Sequence, residues 1–294
     1  MPNKQPQYYI ESGNAAILNI SLSIFCSLIL IGFLSMIYAL FVAYIPIVYF
    51  NILLTIGLGI AISFVSRLFN SIFKIRNRKK TLIITIILAL FGVYFQWIWY
   101  LLYISSEEFQ VVENISSFFS LLVHPNWVIE SIIEISQIGV WGIFGFPRFN
   151  GFFLWTIWIS ELVIIVYMAY HNYTNFETIP FSEKENQWFI KEYIDTEFEY
   201  ISYKQKFIDD FQSSPYEAIK KLEKGNGIRH SRISIYKTKM ESQYLFAINN
   251  VIVTQKGKGK EDITVVLKPC FVDKLFINNI KNDYRIKKSS RFEF

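Results

Sequence analysis

The segment WTIWISELVIIV, residues 155–166, contains one carboxylate, Glu161, in a run that is otherwise apolar enough to cross a lipid bilayer. If the predicted span begins at Gly151, Glu161 lies about 15 Å deep, close to the bilayer midplane. A charged side chain at that depth costs about 2.5–3.5 kcal/mol on insertion scales. None of the four predicted spans contains Lys, Arg or His, so a salt bridge within them is excluded. Glu161 is therefore predicted to be either a neutral acid hydrogen-bonded to another span or an ionised group facing water or a bound cation.

Depth along the third predicted span indicates which polar groups could reach Glu161. Counting inward from Ile104, Gln96 lies about 12 Å deep and Tyr94 about 15 Å deep, so these two are the preferred partners. One hypothesis is structural, a single interhelical hydrogen bond worth about 0.6–2 kcal/mol. The other is a proton or cation site, because intramembrane acids commonly mark ion pathways. The sequence leaves both open, since it lacks the chain of acids or histidines that a proton relay uses.

A second candidate group lies in residues 105–150, where Glu130 and Glu134 are four residues apart and share a predicted helix face. His124 lies upstream of them. Such a constellation could bind a cation or shuttle protons, or it is the wet face of a helix at the membrane interface. A further hypothesis is a lipid-modifying enzyme that uses these acids. It predicts that Glu130→Ala abolishes a function that Glu161→Gln leaves intact.

The elements that position these groups are predicted from composition. The chain has 294 residues and is 18% charged and 52% hydrophobic, with mean hydropathy +0.30, whereas an average soluble domain is about 25% charged. Between Glu11 and Arg67 there is no charged residue, which leaves room for two spans of about 20 residues each. The first apolar stretch is too long for a signal-peptide core and is predicted to be retained. The predicted spans are residues 15–41, 47–66, 81–104 and 151–170, with Pro46 between the first two.

Basic residues predict the orientation of the spans. The connection between the second and third spans contains six of them and no acid: Arg67, Lys74, Arg76, Arg78, Lys79 and Lys80. Residues 105–150 contain only one Lys or Arg residue, Arg148. By the positive-inside rule, both termini, including the tail of residues 1–14, are predicted to be cytoplasmic. The same six charges are expected to contact anionic lipid headgroups, at about 1 kcal/mol each, and not nucleic acid.

Aromatic and small residues add two further predictions. Six of the seven tryptophans fall between the end of the third span and the start of the fourth: Trp97, Trp99, Trp127, Trp141, Trp155 and Trp158. Amphipathic rings collect at membrane interfaces, so an outer aromatic belt is predicted, with a ligand cage as the alternative. In the second span Gly57, Gly59, Ala61 and Ser63 form two small-xxx-small pairs. They predict a close helix contact, within the bundle or between protomers.

The segment of residues 105–150 is too apolar for a loop in water. FQVVENISSFFSLLV and NWVIESIIEISQI predict two amphipathic helices, the second capped by Asn126 after Pro125. Each is shorter than a span, so they are predicted to lie on the outer interface or to dip into it. The glycine-rich segment 139–151 that follows predicts a re-entrant elbow or a turn at the surface.

The last part of the chain, residues 174–294, predicts a separate α+β domain. Ser182 and Glu185 have capping-box spacing and predict a helix that continues through residue 211. The segment SPYEAIKKLEKGNG predicts a helix that begins after Ser214 and ends at Gly225. RISIY, YLFAI, VIVTQ and ITVVL predict strands, with a turn at Asn249-Asn250. FVDKLFINNI predicts a final short helix. Residues 171–294 contain 21 Lys+Arg and 17 Asp+Glu, an interspersed balance typical of a solvated domain.

The sequence contains no motif for a cofactor, a metal or a catalytic group. G-x-S-x-G, H-E-x-x-H, G-x-G-x-x-G and paired C-x-x-C do not occur. KGKGK, at 256–260, lacks the leading glycine and the Lys-Ser/Thr ending of a phosphate loop, so a lysine-rich hairpin turn is predicted. Cys26 and Cys270 form neither a disulfide framework nor a metal site. No cofactor is therefore expected, and an enzymatic role is not favoured.

Together these features predict an integral membrane α-helical bundle of four transmembrane helices, with short outer interfacial or re-entrant helices and a C-terminal cytoplasmic α+β domain. The favoured hypothesis is a non-enzymatic scaffold, sensor or effector module in a bacterial inner membrane. Its cytoplasmic domain would bind a protein partner or a signal. The alternative is an oligomeric channel or a proton- or cation-coupled transporter that uses Glu161. Four spans leave little room for a pathway inside one protomer, so this alternative predicts a homo-oligomer.

Overall fold

The computed structural model describes residues 7–45, 48–105, 111–139, 150–253 and 261–288. The chain forms two compact units, one of Gly13–Glu177 and the other of Met1–Ser12 with Thr178–Glu293. The first unit is helical, and the second is built around a β-sheet.

The described part of the first unit consists of helices of two lengths. In chain order they are α1 (Ile17–Tyr44), α2 (Val48–Ile72), α3 (Arg78–Ser105), α4 (Val111–Val123), α5 (Pro125–Ile138) and α6 (Gly151–Thr174). Four of them, α1, α2, α3 and α6, are long and apolar enough to span a membrane. The short helices α4 and α5 bend by 100° at the break between them. All four predicted spans and both predicted short helices are therefore confirmed as helices.

The helix bounds differ from the prediction at the basic connection. Helix α2 continues beyond Ser66 to Ile72, and α3 begins at Arg78, so four of the six basic residues lie on helices and the connection shrinks to residues 73–77. Arg and Lys are good helix formers, which allows the helices to extend past their apolar stretches. The Asn77 side chain accepts a hydrogen bond from the backbone N–H of Lys80 (3.0 Å) at the start of α3. The predicted cap of α5 is also wrong, because Pro125 takes the first helical position and His124 precedes it.

Two glycines allow the long helices to approach closely. A Cβ atom at Gly59 would lie 2.7 Å from the carbonyl oxygen of Ile165, so the backbones of α2 and α6 are in close contact there. A Cβ atom at Gly92 would lie 2.7 Å from Cδ1 of Ile62, which brings α3 against α2. The close contact predicted for the second span is thus confirmed within the bundle at Gly59. A Cβ atom at Gly57 would meet open space.

A buried polar cluster joins α1, α2 and α3 near the end of the bundle where α3 begins. The Ser23 hydroxyl donates to Oδ1 of Asn70 (2.8 Å), and Nδ2 of Asn70 donates to the Ser66 hydroxyl (3.2 Å). The hydroxyls of Ser66 and Thr85 are 2.7 Å apart. Hydrogen bonds of this kind hold apolar helices in register, because the hydrophobic effect does not distinguish a lipid tail from a leucine.

The second unit contains an antiparallel sheet with helices. Its elements are β1 (Phe181–Ser182), β2 (Gln187–Trp188), β3 (Ile190–Ile194), β4 (Phe198–Glu199), α7 (Lys204–Ser213), α8 (Pro215–Lys220), β5 (Arg229–Lys237), β6 (Tyr244–Val253), β7 (Glu261–Val272), α9 (Lys274–Asp283) and β8 (Ile286–Lys288). The main sheet has the order β7-β6-β5-β3-β8, with β4 beside β5, and β1 pairs with β2. The ring centroids of Phe211 (α7) and Phe276 (α9) lie 5.6 and 5.1 Å from that of Phe246 on β6, so these helices cover one face of the sheet. A sheet-containing C-terminal domain is therefore confirmed.

The helix predicted from Ser182 is wrong, because β1 to β4 occupy that stretch and α7 begins only at Lys204. The capping-box contact does form: the backbone N–H of Glu185 donates to the Ser182 hydroxyl at 3.1 Å. It forms in the turn between β1 and β2, so the three-residue spacing of Ser182 and Glu185 occurs here in a turn and not at the start of a helix. Pairing of β3 with β5 decides the outcome, as tertiary context overrides local propensity.

The turn predicted at Asn249-Asn250 is also wrong, because both residues lie within β6. The Asn250 amide accepts from the N–H of Ile201 (3.1 Å) and donates to its carbonyl oxygen (2.9 Å), which satisfies a buried polar side chain. The helix predicted to end at Gly225 ends at Lys220.

One further prediction for the C-terminal domain is tested, and several others are not. The predicted final helix is confirmed as α9. The KGKGK turn, Pro46, Trp141 and residues 140–149 of the predicted elbow lie outside the described residues.

Candidate functional site

A cavity of about 260 Å³ lies among the four long helices. Its wall is formed by the C-terminal end of α1, the N-terminal turn of α2, the second half of α3 and the first half of α6. In an up-and-down arrangement these parts lie at the same end of the bundle, opposite the buried polar cluster around Asn70. The cavity therefore belongs to one half of the bundle.

Three polar side chains line this cavity, one from each of three helices: Asn51, Gln96 and Glu161. Asn51 is only 7% exposed and Gln96 only 8%. The Oδ1 atom of Asn51 is buried and has no hydrogen-bond partner in the described residues. Among those residues the Glu161 carboxylate likewise has no hydrogen bond or ion pair. A buried acceptor left unpaired costs about 1–3 kcal/mol, so these groups are suited to a ligand that donates.

Aromatic rings form much of the remaining wall. Trp97, Tyr100 and Tyr103 come from α3, and Trp158 comes from α6. The ring centroids of Trp97 and Trp158 are 4.8 Å apart with the ring planes at 87°, and those of Trp97 and Tyr100 are 5.8 Å apart at 86°. The rings therefore meet edge to face, which holds them at right angles around the cavity.

The tryptophans predicted to form one belt have different environments. Trp127 and Trp155 are 47% and 38% exposed, as expected for a belt. Trp99 is buried and donates its indole N–H to the carbonyl oxygen of Gly32 (3.1 Å). Trp97 and Trp158 line the cavity. The belt interpretation thus fits part of the group, and the cage interpretation fits another part.

Hydrogen bonds extend the polar region from the cavity towards α1. The hydroxyls of Tyr38 and Thr55 are 3.0 Å apart, and the Thr55 hydroxyl donates to the backbone carbonyl of Asn51 (2.7 Å). All three side chains are buried. The contact from Thr55 reaches the backbone of Asn51, and the side-chain oxygen of Asn51 has no partner in the described residues.

The structure brings Gln96 to the cavity with Glu161 but directs Tyr94 elsewhere. The Tyr94 hydroxyl donates to the carbonyl oxygens of Leu121 and Leu122 on α4, at 3.0 and 3.2 Å. Tyr94 therefore fastens the short helix α4 to α3. Gln96 and Tyr94 have similar depths, but they lie on different faces of α3. Depth alone therefore does not distinguish the two candidates.

The second candidate group, Glu130, Glu134 and His124, is not arranged as a metal site. Glu130 and Glu134 are both exposed on α5. The ring of His124 stacks on Trp127, with centroids 4.1 Å apart, and its Nδ1 atom lies 2.8 Å from the carbonyl oxygen of Ser120. No group of three His, Cys, Asp or Glu residues arranged for a metal ion occurs in the described part of the chain.

The basic residues occupy several local environments. The Arg67 guanidinium lies over the ring of Phe176, 3.1 Å from its centroid. Arg78 donates to the carbonyl oxygen of Thr174 (3.1 Å) at the C-terminal end of α6, where a cation is favoured by the helix dipole. Lys79 and Lys80 are exposed. Nε of Arg76 donates to the backbone carbonyl of Lys74 at 3.2 Å.

The second unit contains polar groups that serve its own structure. Nζ of Lys237 lies 2.9 Å from Glu192 and 3.3 Å from Glu241. The hydrogen bond that Lys237 donates to Glu192 raises the pKa of Lys237, although burial acts in the opposite direction. Burial acts to raise the pKa of Glu185, but hydrogen bonds donated by the hydroxyls of Ser242 and Thr238 outweigh it and lower that pKa.

The second unit also contains a buried thiol and a buried imidazole. Burial raises the pKa of the Cys270 thiol to about 12. His230 is 1% exposed, and its Nε2 lies 3.7 Å from Glu197.

Sequence reasoning missed Asn51, the aromatic wall and Tyr100 as parts of one site. Asn51 is not among the partners that depth along the spans predicts for Glu161. The available signal was spacing: Trp97 and Tyr100, like Trp158 and Glu161, are three residues apart and share a helix face.

Comparison with known proteins finds no family model, no curated protein and no solved structure that matches this chain.

Proposed function

We propose that the chain is a multi-pass protein of a bacterial inner membrane that senses a ligand in its helical bundle. In this proposal both termini are cytoplasmic, and the C-terminal domain passes the signal to a protein partner without catalysis. The cavity around Glu161 is the observation that carries the proposal, because its carboxylate and the buried amide oxygen of Asn51 have no partner in the described part of the chain. With the orientation that the basic residues predict, this cavity lies in the outer half of the membrane.

The arrangement of charge supports ligand sensing. Keeping a carboxylate inside a span costs about 2.5–3.5 kcal/mol. Charged groups inside membrane spans either pair with another group or mark a functional site. The described residues provide Glu161 with no cationic partner, so the proposal assigns it the task of binding a ligand.

The test measures whether a change at Glu161 reaches the C-terminal domain. The full chain in lipid nanodiscs is compared as wild type, Glu161→Gln and Glu130→Gln by hydrogen exchange of the peptides of β5, β6 and β7. A sensor predicts that Glu161→Gln changes this exchange, because Gln keeps the shape but cannot ionise. Glu130→Gln, a matched change on the exposed face of α5, should leave it unaltered. Identical exchange in all three proteins would rule out the sensing proposal.

Transport is the second candidate function, and one observation favours it. Buried polar side chains continue along the bundle beyond the cavity, and the hydroxyls of Ser27 and Ser63 are buried without a partner in the described residues. They lie between the cavity and the cluster of Ser23, Asn70 and Ser66 along α1 and α2. Such a row could pass a proton or a small cation.

Flux distinguishes transport from sensing. Proton and cation flux is measured in proteoliposomes that contain the wild type or Glu161→Gln. Flux that the substitution removes, in a protein with unchanged helix content, would establish transport. This alternative also requires a homo-oligomer, so a strictly monomeric protein in nanodiscs would count against it. Absence of flux in both proteins would exclude it.

A further inference from the structure

The cavity around Glu161 carries a chemical inference about its ligand. Among the described residues, one acidic side chain and no basic one line it. One carboxylate balances one positive charge. A divalent ion would retain a net charge inside the bundle, and Ca²⁺ or Mg²⁺ sites also surround the ion with about six to eight oxygen ligands. The charge of the wall therefore favours a monovalent cation.

The size and the aromatic wall distinguish among monovalent cations. A cavity of about 150 Å³ holds benzene, so a cavity of about 260 Å³ accommodates a somewhat larger organic molecule. An alkali ion would need several waters to fill the same space, whereas an organic ammonium ion fills it with its own carbon groups. The faces of Trp and Tyr rings are negative and attract organic ammonium groups.

The aromatic rings bound the cavity from more than one direction. Trp97 and Trp158 both line it, and their ring planes meet at 87°. Tyr100 adds a further ring at 86° to Trp97. Asn51 lines the same cavity, and its buried side-chain oxygen has no hydrogen-bond partner in the described residues.

We propose that this cavity binds a small organic ammonium ion, with Glu161 as the counter-ion, Trp97, Trp158 and Tyr100 as the aromatic cage, and Asn51 as a polar residue of the wall. This inference rests on the proposed sensing function, since it specifies the class of ligand that the sensor recognises. It also follows from the cage interpretation of the tryptophans, applied to the two that face Glu161.

Binding is tested with the full chain in nanodiscs by tryptophan fluorescence and thermal unfolding. The probes are tetramethylammonium, n-butylammonium and choline. The uncharged isostere of choline, 3,3-dimethylbutan-1-ol, is the control for charge. Sodium and potassium chloride at equal ionic strength are the controls for salt. At least one ammonium probe is expected to bind, and for choline the isostere should bind at least about tenfold more weakly. If no ammonium probe binds, or if the isostere binds as tightly as choline, the proposal is overturned.

Variants assign the binding to the residues named. Glu161→Gln should weaken binding about 10- to 100-fold, because it removes the charge but keeps the shape. Trp158→Leu should weaken binding about 3- to 30-fold. Trp158→Phe keeps an aromatic ring and should recover part of this loss, which shows that the loss does not come from misfolding. Trp127→Phe, at an exposed ring outside the cavity, is the matched control and should bind as the wild type does. Unchanged affinity in both Glu161→Gln and Trp158→Leu would place the probe elsewhere and overturn the assignment.

The same titrations separate this inference from the proposed function. A response to sodium or to pH that depends on Glu161, with no binding of any ammonium probe, would leave the sensing function standing and overturn the ammonium ligand. No response to any ion, with hydrogen exchange of the C-terminal domain unaffected by Glu161→Gln, would overturn both.

Discussion

The close contact between α2 and α6 provides a quantitative test of the helix packing. At Gly59 a new Cβ atom would lie 2.7 Å from the carbonyl oxygen of Ile165 and 2.8 Å from Cβ of Met168. An ordinary contact begins at 3.4 Å, so Gly59→Ala must move α6 away by roughly 0.7 Å or compress its backbone. Overpacking of this kind costs about 1–3 kcal/mol.

Gly57→Ala is the matched control, because it lies on the same helix and its Cβ atom would meet open space. Both substitutions gain the same helix propensity, about 1 kcal/mol, which cancels in the comparison. The Gly59 variant is therefore expected to be less stable than the Gly57 variant by about 1–3 kcal/mol.

The free energy of unfolding is measured for the full chain in mixed micelles, with helix content followed by circular dichroism. Ile165 lies one turn beyond Glu161 on α6, so the Gly59 variant should also bind a cavity ligand more weakly. Equal unfolding free energies for the two variants would refute the close approach of α2 and α6.

Three further predictions concern the C-terminal domain. The raised pKa of Cys270, about 12, predicts that this thiol resists alkylation at pH 8 in the folded chain and reacts only after denaturation; labelling read by mass spectrometry checks this. Asn250→Ala leaves the buried backbone groups of Ile201 unpaired and should destabilise the domain by about 2–4 kcal/mol in a urea titration, whereas a loss under about 0.5 kcal/mol would contradict the hydrogen bonding described. The pKa of Glu185 is lowered in the folded domain, so its contribution to stability is present above its ordinary pKa of 4.5 and is lost as the pH falls through the folded-state value. Glu185→Gln should therefore flatten the acid limb of the stability profile, and a profile identical to that of the wild type would show that the hydroxyl contacts do not form.

Much of the helical unit was predictable because hydropathy is a local property of the chain. The long uncharged stretch after Glu11 predicts α1 and α2 without any knowledge of their neighbours. The bounds were less predictable, as the extension of α2 to Ile72 shows. Charged residues mark where an apolar stretch ends, whereas a helix ends where its backbone hydrogen bonds end.

The C-terminal domain shows where local patterns fail. Ser182 and Glu185 make the contact that a capping box predicts, yet they do so in a turn between strands. Asn250 resembles a turn residue, but a partner 49 residues away along the chain satisfies its amide. In both cases the deciding interaction comes from a segment that a local pattern does not include.

The candidate site was also predictable only in part. The sequence by itself determined that Glu161 is an acid in an apolar span without a basic neighbour, and that Gln96 lies at a comparable depth. Only the tertiary structure decided that Gln96 shares the cavity while Tyr94 reaches α4, and that Asn51 and two tryptophans complete the wall. The physical reason is that depth follows from counting residues along one helix, whereas the face that a side chain shares with another helix follows from how the helices are rotated. That rotation is a consequence of close contacts such as those at Gly59 and Gly92.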